Sequence, residues 1–281
     1  MSLPRKWCIK NNIKKGEELE LTDLGNKLMI LTEQENTPLM KKELHLDDKE
    51  KYLKYILHSF YQKGYTEVML TYDDERIADV IQRMLHEEMV GFEVVEQSPK
   101  MSVIRSVAGA LPSEFDAILK RAFSLTVSMY EGMVDNLVQG RFQAIGSLSY
   151  MEGNVYKYVT FCTRMINSGL KDKNVTQYSV LKTIERIARE MKFLCIELNK
   201  NNSIDKNTKE LIKEIYSLLK ESYELYYSYD LKKTLELFER RLEIIKKLKK
   251  EFKSDCMNAH YLCNITQYIF DLSKTKMQME I

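Results

Sequence analysis

"VTQYSVLKTIERIAREMKFLCIELN", residues 175–199, decides the fold class of this chain. Its apolar residues alternate steps of three and four, which is the spacing of one buried helix face. Residues 230–253 have nearly the same pattern. Stripes of this width bury one face against antiparallel neighbours in a left-handed bundle. The two stripes are Leu181, Ile184, Ala188, Met191, Cys195 and Leu198, and Leu231, Leu235, Phe238, Leu242, Ile245 and Leu248.

Only helical patterns follow Pro112. Pro112 and Ser113 open the first helix, and Ser113 with Asp116 fits a capping box. The polar loop "NKNNSID" separates the first three predicted helices from the last three. We therefore predict that residues 112–281 form a helical domain of two three-helix bundles. The six helices are expected over about 112–140, 141–167, 175–199, 206–228, 230–253 and 256–275.

Helices and strands alternate between residues 46 and 108, which predicts a small α+β domain. "KEKYLKYILHSFYQKGY" has apolar residues at helical spacing and a helix-ending Gly64. "DDERIADVIQRMLHEE" begins with aspartates suited to a helix N-terminus. "TEVMLTY", "GFEVVEQS" and "MSVIRSVAG" are predicted strands.

Residues 1–35 have the pattern of a partial β-hairpin domain. "WCIKN", "EELELTD" and "NKLMILTE" are short strand-like runs, and Gly16 and Gly25 suit the turns between them. A lone hairpin is marginal in water. We therefore expect this element to pair with a second chain or to pack on the α+β domain.

The composition excludes several functional classes. The 281 residues carry a net charge of +2 with opposite charges finely mixed, so the whole surface is not a nucleic-acid footprint, although a local basic patch is compatible. Five cysteines without a Cys-x-x-Cys motif predict buried free thiols in a reducing cytoplasm. We expect no membrane span, since no run of 18 apolar residues occurs, and no secretion signal. The sequence has no phosphate-binding loop and no recognisable nucleophile, which favours a protein that is not an enzyme.

Several motifs together resemble an archaeal group of PhoU-like phosphate-uptake regulators. "SLPRKWCIKNNIKKGEELEL" resembles the end of an AbrB-type swapped-hairpin domain, and "TIERIARE" resembles part of a PhoU helix. "GYTEVML", "GFEVVEQS" and "SVIRS" resemble the landmarks of the α+β domain that lies between them in that group. The similarity covers nearly the whole chain, and the order of the motifs carries it.

This resemblance implies an AbrB-type hairpin, a small α+β domain and a PhoU-like six-helix unit. It also implies a homodimer, DNA contact through the hairpin, and a phosphate transporter or signalling protein as partner. The AbrB-type domain normally has a basic strand before the position of Ser2. We expect either that the reading frame begins upstream of Met1 or that the hairpin domain has decayed.

The resemblance implies metal sites as well, because carboxylates at i and i+4 on PhoU helices bind metal clusters. Here the position four residues after Glu152 holds Tyr156, and the position four residues after Glu185 holds Arg189. Asn154 occupies a position where an acidic residue is common. In the last helix Cys263 and Gln267 occupy the two positions. Glu152 and Glu185 are therefore either remnant ligands, for iron, manganese or magnesium, or members of ion pairs.

Basic residues in the first stretch are the predicted DNA contacts. Cationic side chains on a β-ribbon can follow a DNA backbone with salt-dependent affinity. The candidates are Arg5, Lys6, Lys10, Lys14 and Lys15. A second basic run, residues 240–253, is predicted as a solvated helix face, and the four histidines as surface or half-buried residues.

The first functional hypothesis is a cytoplasmic regulator of phosphate transport and phosphate-responsive expression that acts through DNA and protein contacts. The alternative is a metal-binding helical protein with Glu152 and Glu185 as ligands. A third is a scaffold that keeps the fold and has lost both activities.

Overall fold

The computed structural model describes residues 3–10, 12–23, 28–31, 40–47, 50–107, 112–171, 174–251 and 257–281. The chain is mainly helical, with a two-stranded hairpin and a four-stranded sheet in its N-terminal part. None of the helices in these ranges combines the length and apolarity needed to cross a membrane.

The first described element is a helix, so the strand predicted in "WCIKN" is wrong. Helix α1 (Arg5–Lys10) follows Pro4, whose carbonyl accepts hydrogen bonds from the Trp7 and Cys8 amides at 2.9 and 3.1 Å. Asn12 ends the helix with a positive φ of 52°, and the Ile13 amide closes back on the Cys8 carbonyl. Proline before the first turn and asparagine after the last are ordinary helix-boundary residues, and they outweigh the apolar run.

The hairpin forms between the other two predicted strands. Strands β1 (Glu20–Asp23) and β2 (Leu28–Leu31) pair antiparallel, with Glu20 opposite Leu31. The residues that connect them, 24–27, lie outside the described part, as does Gly25.

The α+β part consists of β3 (Lys41–Leu46), α2 (Leu53–Lys63), β4 (Glu67–Tyr72), α3 (Ile77–Glu88), β5 (Phe92–Ser98) and β6 (Met101–Ser106). The sheet order is β3-β4-β6-β5, with β3 parallel to β4 and the other pairs antiparallel. Gly64 ends α2 with φ of 95°, as predicted. Strand β3 lies mostly before residue 46 and was not predicted, because this exposed edge strand has little apolar content.

In the described ranges after residue 112, seven helices follow a short 3₁₀ turn over Pro112–Glu114. They are α4 (Phe115–Val138), α5 (Phe142–Leu148), α6 (Met151–Asn167), α7 (Val175–Asn201), α8 (Lys206–Tyr227), α9 (Leu231–Glu251) and α10 (Met257–Glu280). Two predictions fail here. The single helix over 141–167 is broken after Leu148, where Ser149 hydrogen-bonds back to the Gly146 carbonyl through its amide and hydroxyl. The capping box at Ser113 is absent, because the 3₁₀ turn leaves Glu114 at the N-cap of α4.

The helices pack around one continuous apolar core that also includes the α+β part. Helices α4, α6 and α7 contact one another, as do α8, α9 and α10. The most extensive contact, between α7 and α10, and that between α4 and α8 join the two groups. Of the cysteines, Cys162 and Cys195 are buried and free, as predicted, while Cys8 and Cys263 are half-buried and Cys256 lies outside the described residues.

The α7 stripe is fully buried, as predicted, but the α9 stripe is not. Helix α9 buries Leu237, Ile244 and Leu248, and it leaves Leu231 and Leu235 exposed. The physical reason is its position. Helix α9 packs mainly on α8 and α10, so one of its two apolar faces is buried and the other is only partly covered.

Candidate functional site

The candidate site is the polar junction where α2 and α3 of the α+β part meet α6 and α7 of the helical part. It contains both predicted carboxylates. Glu152 lies in the first turn of α6, and one of its oxygens accepts a hydrogen bond from Lys192 Nζ of α7 at 3.0 Å. The burial cost of this carboxylate is therefore offset by an ion pair between helices.

Glu185 of α7 is almost fully buried. Its Oε1 accepts from Arg189 Nη2 at 2.5 Å, and its Oε2 accepts from Lys182 Nζ at 2.9 Å. Both partners lie on the same helix, three and four residues away, where side chains share a face. The i,i+4 pair with Arg189 is the ion-pair alternative that the sequence suggested.

Asn154 is exposed on α6. Over the described ranges, no group of three or more His, Cys, Asp and Glu side chains could hold a metal ion. Three cationic side chains engage the carboxylates of Glu152 and Glu185 instead. A metal at this junction would have to displace them.

His58 of α2 is 4% exposed, which contradicts the prediction of a surface or half-buried histidine. Its Nε2 lies 2.6 Å from Glu88 Oε2 of α3, and Lys54 Nζ lies 2.7 Å from the other oxygen. Its ring packs edge-on against Tyr156 of α6, with centroids 4.9 Å apart. Nδ1 is buried without a hydrogen-bond partner in the described part of the chain. Periodicity gave little signal for this burial, because His58 lies at the edge of the face that Leu53, Leu57 and Tyr61 occupy on α2.

The electrostatics of the junction lower the pKa of Glu88 and raise the pKa of Tyr156. Burial pushes the pKa of Glu88 upward, but hydrogen bonds from His58 and Lys54 outweigh it and lower the pKa to about 2. Burial, with the nearby carboxylates of Glu185, Glu88 and Glu152, raises the pKa of Tyr156 to about 12.

Arg164 of α6 holds the end of α2. It is buried, its Nη1 donates to the Tyr61 carbonyl at 2.8 Å, and its guanidinium lies 4.6 Å from the ring centroid of Phe92. Asn167 Nδ2 donates to the Gln62 carbonyl at 2.7 Å, one residue further along α2. Burial lowers the pKa of Arg164. The Tyr61 carbonyl also accepts from the Gly64 amide, and Asn167 satisfies a carbonyl that a helix C-terminus leaves free, so α6 helps to cap the end of α2.

The predicted DNA contacts lie elsewhere. Arg5, Lys6 and Lys10 lie on α1, while Lys14 and Lys15 lie in the turn that follows it. Arg5, Lys6, Lys14 and Lys15 are exposed. The expectation that they line a β-ribbon is wrong, because the first three lie on a helix between Pro4 and Asn12 and the other two lie in the turn after it.

Compared with family models, with curated proteins and with solved structures, the chain shows no match.

Proposed function

We propose that this chain is a regulator of phosphate uptake and phosphate-responsive gene expression that acts by binding DNA and other proteins. The order of its parts supports this. A hairpin precedes a small α+β part and a set of helices, which is the order in the PhoU-like regulators that the sequence resembles.

The observation that carries the proposal is that the polar side chains of the junction are paired with other groups of the same chain. Glu88, Glu152 and Glu185 all pair with side chains of the same chain. Arg164 and Asn167 fix α2 to α6. The carboxylates pair within one part or the other, whereas Arg164 and Asn167 hold the α+β and helical parts in one relative position, which suits a protein that presents fixed surfaces to partners.

The exposed basic residues of the first stretch support the DNA contact. Helix α1 and the turn after it present Arg5, Lys6, Lys14 and Lys15 to solvent close together in the chain. Such a cluster favours phosphate backbones without reading base sequence.

Electrophoretic mobility shift with promoters of phosphate-uptake genes tests the DNA contact. Replacing the four basic residues by glutamine should weaken binding and reduce the slope of log K against log salt by about three to four, at ~0.9 per phosphate contact. The matched control replaces four exposed lysines elsewhere: Lys200, Lys206, Lys220 and Lys274. Pull-down of phosphate-transporter subunits tests the protein contact, and a chain that gives neither signal contradicts the proposal.

A further inference from the structure

Helix α9 has a second apolar face that the described part of the chain covers only in part. Leu231, Leu235 and Leu242 are 46%, 49% and 43% exposed, and Phe238 and Ile245 between them are half-buried. We refer to these five residues as the α9 seam. Exposed leucines aligned along one helix face mark an interaction surface.

The seam has the spacing of a coiled coil. Its members are separated by four, three, four and three residues, so they occupy alternating d and a positions of a heptad repeat. Such a stripe fits a single helix packed nearly parallel or antiparallel to α9. Phe238, the central member of the seam, also packs against α10, where its ring lies 4.8 Å from that of Phe270.

We propose that the α9 seam binds the α9 seam of a second copy of this chain, with the two helices antiparallel around a two-fold axis. In one register Leu231 packs opposite Leu242 of the second copy, and Leu235 opposite Phe238 of the second copy. Two-fold symmetry repeats both layers. All three exposed leucines are then covered in four layers, and the interface closes on itself.

Charge selects this register. Each d residue of the seam is followed by an exposed charged residue at position e, and these are Lys232, Glu239 and Lys246. In an antiparallel pair of helices, the e residues of one helix face the e residues of the other. In the proposed register Lys232 faces Glu239 of the second copy, twice by symmetry. Among the described residues neither has an ion-pair partner in its own chain. Shifting the second helix by one heptad would instead place Glu239 opposite Glu239 of the second copy and Lys232 opposite Lys246 of the second copy. Like charges would then face each other.

The parallel arrangement is disfavoured for a similar reason. In parallel coiled coils a g residue meets the e residue of the next heptad. Arg241 is the charged g residue, and it would meet Lys246 of the second copy. Arg241 is also already engaged, since it donates to Gln267 of α10 and stacks on Phe270.

Sedimentation of the full chain over roughly 1–200 µM tests the proposal, since so small an interface predicts a Kd on the order of 10 µM. Leu235→Glu should raise the Kd at least about a hundredfold, because it buries a charge in a central layer. The matched control is Ile196→Glu, at an exposed apolar position of α7, which should leave the Kd unchanged. All these sites are on the surface, and circular dichroism verifies that the variants fold.

Charge exchange separates this register from any other. Lys232→Glu alone and Glu239→Lys alone should each raise the Kd by about tenfold, and the double exchange should restore it to within about threefold. A dimer that survives Leu235→Glu is held elsewhere, for example by the hairpin, and overturns the proposal. A chain that stays monomeric throughout, or a double exchange that fails to restore the dimer, overturns it as well.

Discussion

Glu88 lies in the last turn of α3, where an acidic side chain near a helix C-terminus is usually unfavourable. It is stabilised there by hydrogen bonds from His58 and Lys54 of α2. His58, one of these partners, packs edge-on against Tyr156 of α6, so Glu88 helps to fix a side chain that contacts the helical part.

The low pKa of Glu88 predicts a pH dependence of stability. Its pKa falls from an ordinary 4.5 to about 2 in the folded chain, so its stabilising contribution is complete above pH 4.5 and is lost as the pH falls through about 2. The unfolding free energies of the wild type and Glu88→Gln should therefore differ at neutral pH and converge toward pH 2. Urea titrations across this range measure the difference. Glu87→Gln, at the exposed neighbouring position, controls for the loss of a carboxylate. A difference in unfolding free energy between the wild type and Glu88→Gln that stays constant with pH would contradict the lowered pKa of Glu88.

The engagement of Glu152 and Glu185 by cations predicts little bound metal. Elemental analysis of protein purified without chelator should find less than about a tenth of an equivalent of iron or manganese. Stoichiometric metal that disappears in Glu152→Gln and persists in Glu243→Gln, an exposed glutamate of α9, would contradict this and favour the metal-binding alternative.

The candidate site was only partly predictable, because its contacts differ in sequence separation. Glu185 and Arg189 share a helix, so their spacing alone indicated the pair. Glu152 and Lys192 belong to different helices, and His58 and Glu88 are 30 residues apart. Such pairs depend on how α6 packs on α7 and α2 on α3, which no local pattern specifies.

At the scale of single elements, the end of α2 is a closely packed helix boundary. Gly64 adopts φ of 95°, and a Cβ placed there would lie 3.1 Å from Ser168 Cβ. The same turn supplies the Tyr61 and Gln62 carbonyls that Arg164 and Asn167 bind. The backbone at this boundary must therefore be both left-handed and closely packed.

Two glycine substitutions should change stability in opposite directions. Gly64→Ala should lower the unfolding free energy by about 1–2 kcal/mol, because a left-handed residue gains a Cβ. Gly153→Ala should raise it by up to about 0.5 kcal/mol, because Gly153 has helical backbone in the first turn of α6 and a Cβ there meets nothing within 4 Å. Urea denaturation measures the unfolding free energy of both variants. Equal changes in the two variants would show that the backbone conformation of the glycine does not govern its contribution to stability.

The periodicity of the sequence predicted whether each long element is a helix or a strand. It did not predict which face of a helix is buried, and it did not predict the short elements. Strong patterns predicted α2, α7 and the strands β4 to β6. Helix α1 was missed because six residues are too few to show a helical period in the sequence. The boundary residues Pro4 and Asn12 determine that this segment is a helix. In α9 the regular stripe predicted the wrong buried face, because two apolar faces compete and only the packing of α8 and α10 selects one.

At the scale of the whole molecule, the α+β and helical parts share one apolar core. Arg164, Asn167 and Lys157 add hydrogen bonds from α6 to the carbonyls of Tyr61, Gln62 and His86. Neither part can therefore unfold without exposing buried surface of the other.

Thermal unfolding should accordingly be one cooperative transition with equal calorimetric and van't Hoff enthalpies. Arg164→Met should cost about 2 kcal/mol, because it removes a charged hydrogen bond and an aromatic contact. It should also speed hydrogen exchange in both α2 and α6. Arg83→Met, at an exposed position of α3, is the control. Two separate transitions in the wild type would refute the shared core.

The burial of the two central cysteines has a practical consequence. Burial raises the pKa of both Cys162 and Cys195 to about 12, and only the thiolate attacks alkylating reagents and oxidants. In the native state these sulfurs are thus chemically silent, and they become reactive only when α6 or α7 separates from its neighbours. The chain consequently carries two intrinsic reporters, and their rate of modification would time the opening of its interior without any added label.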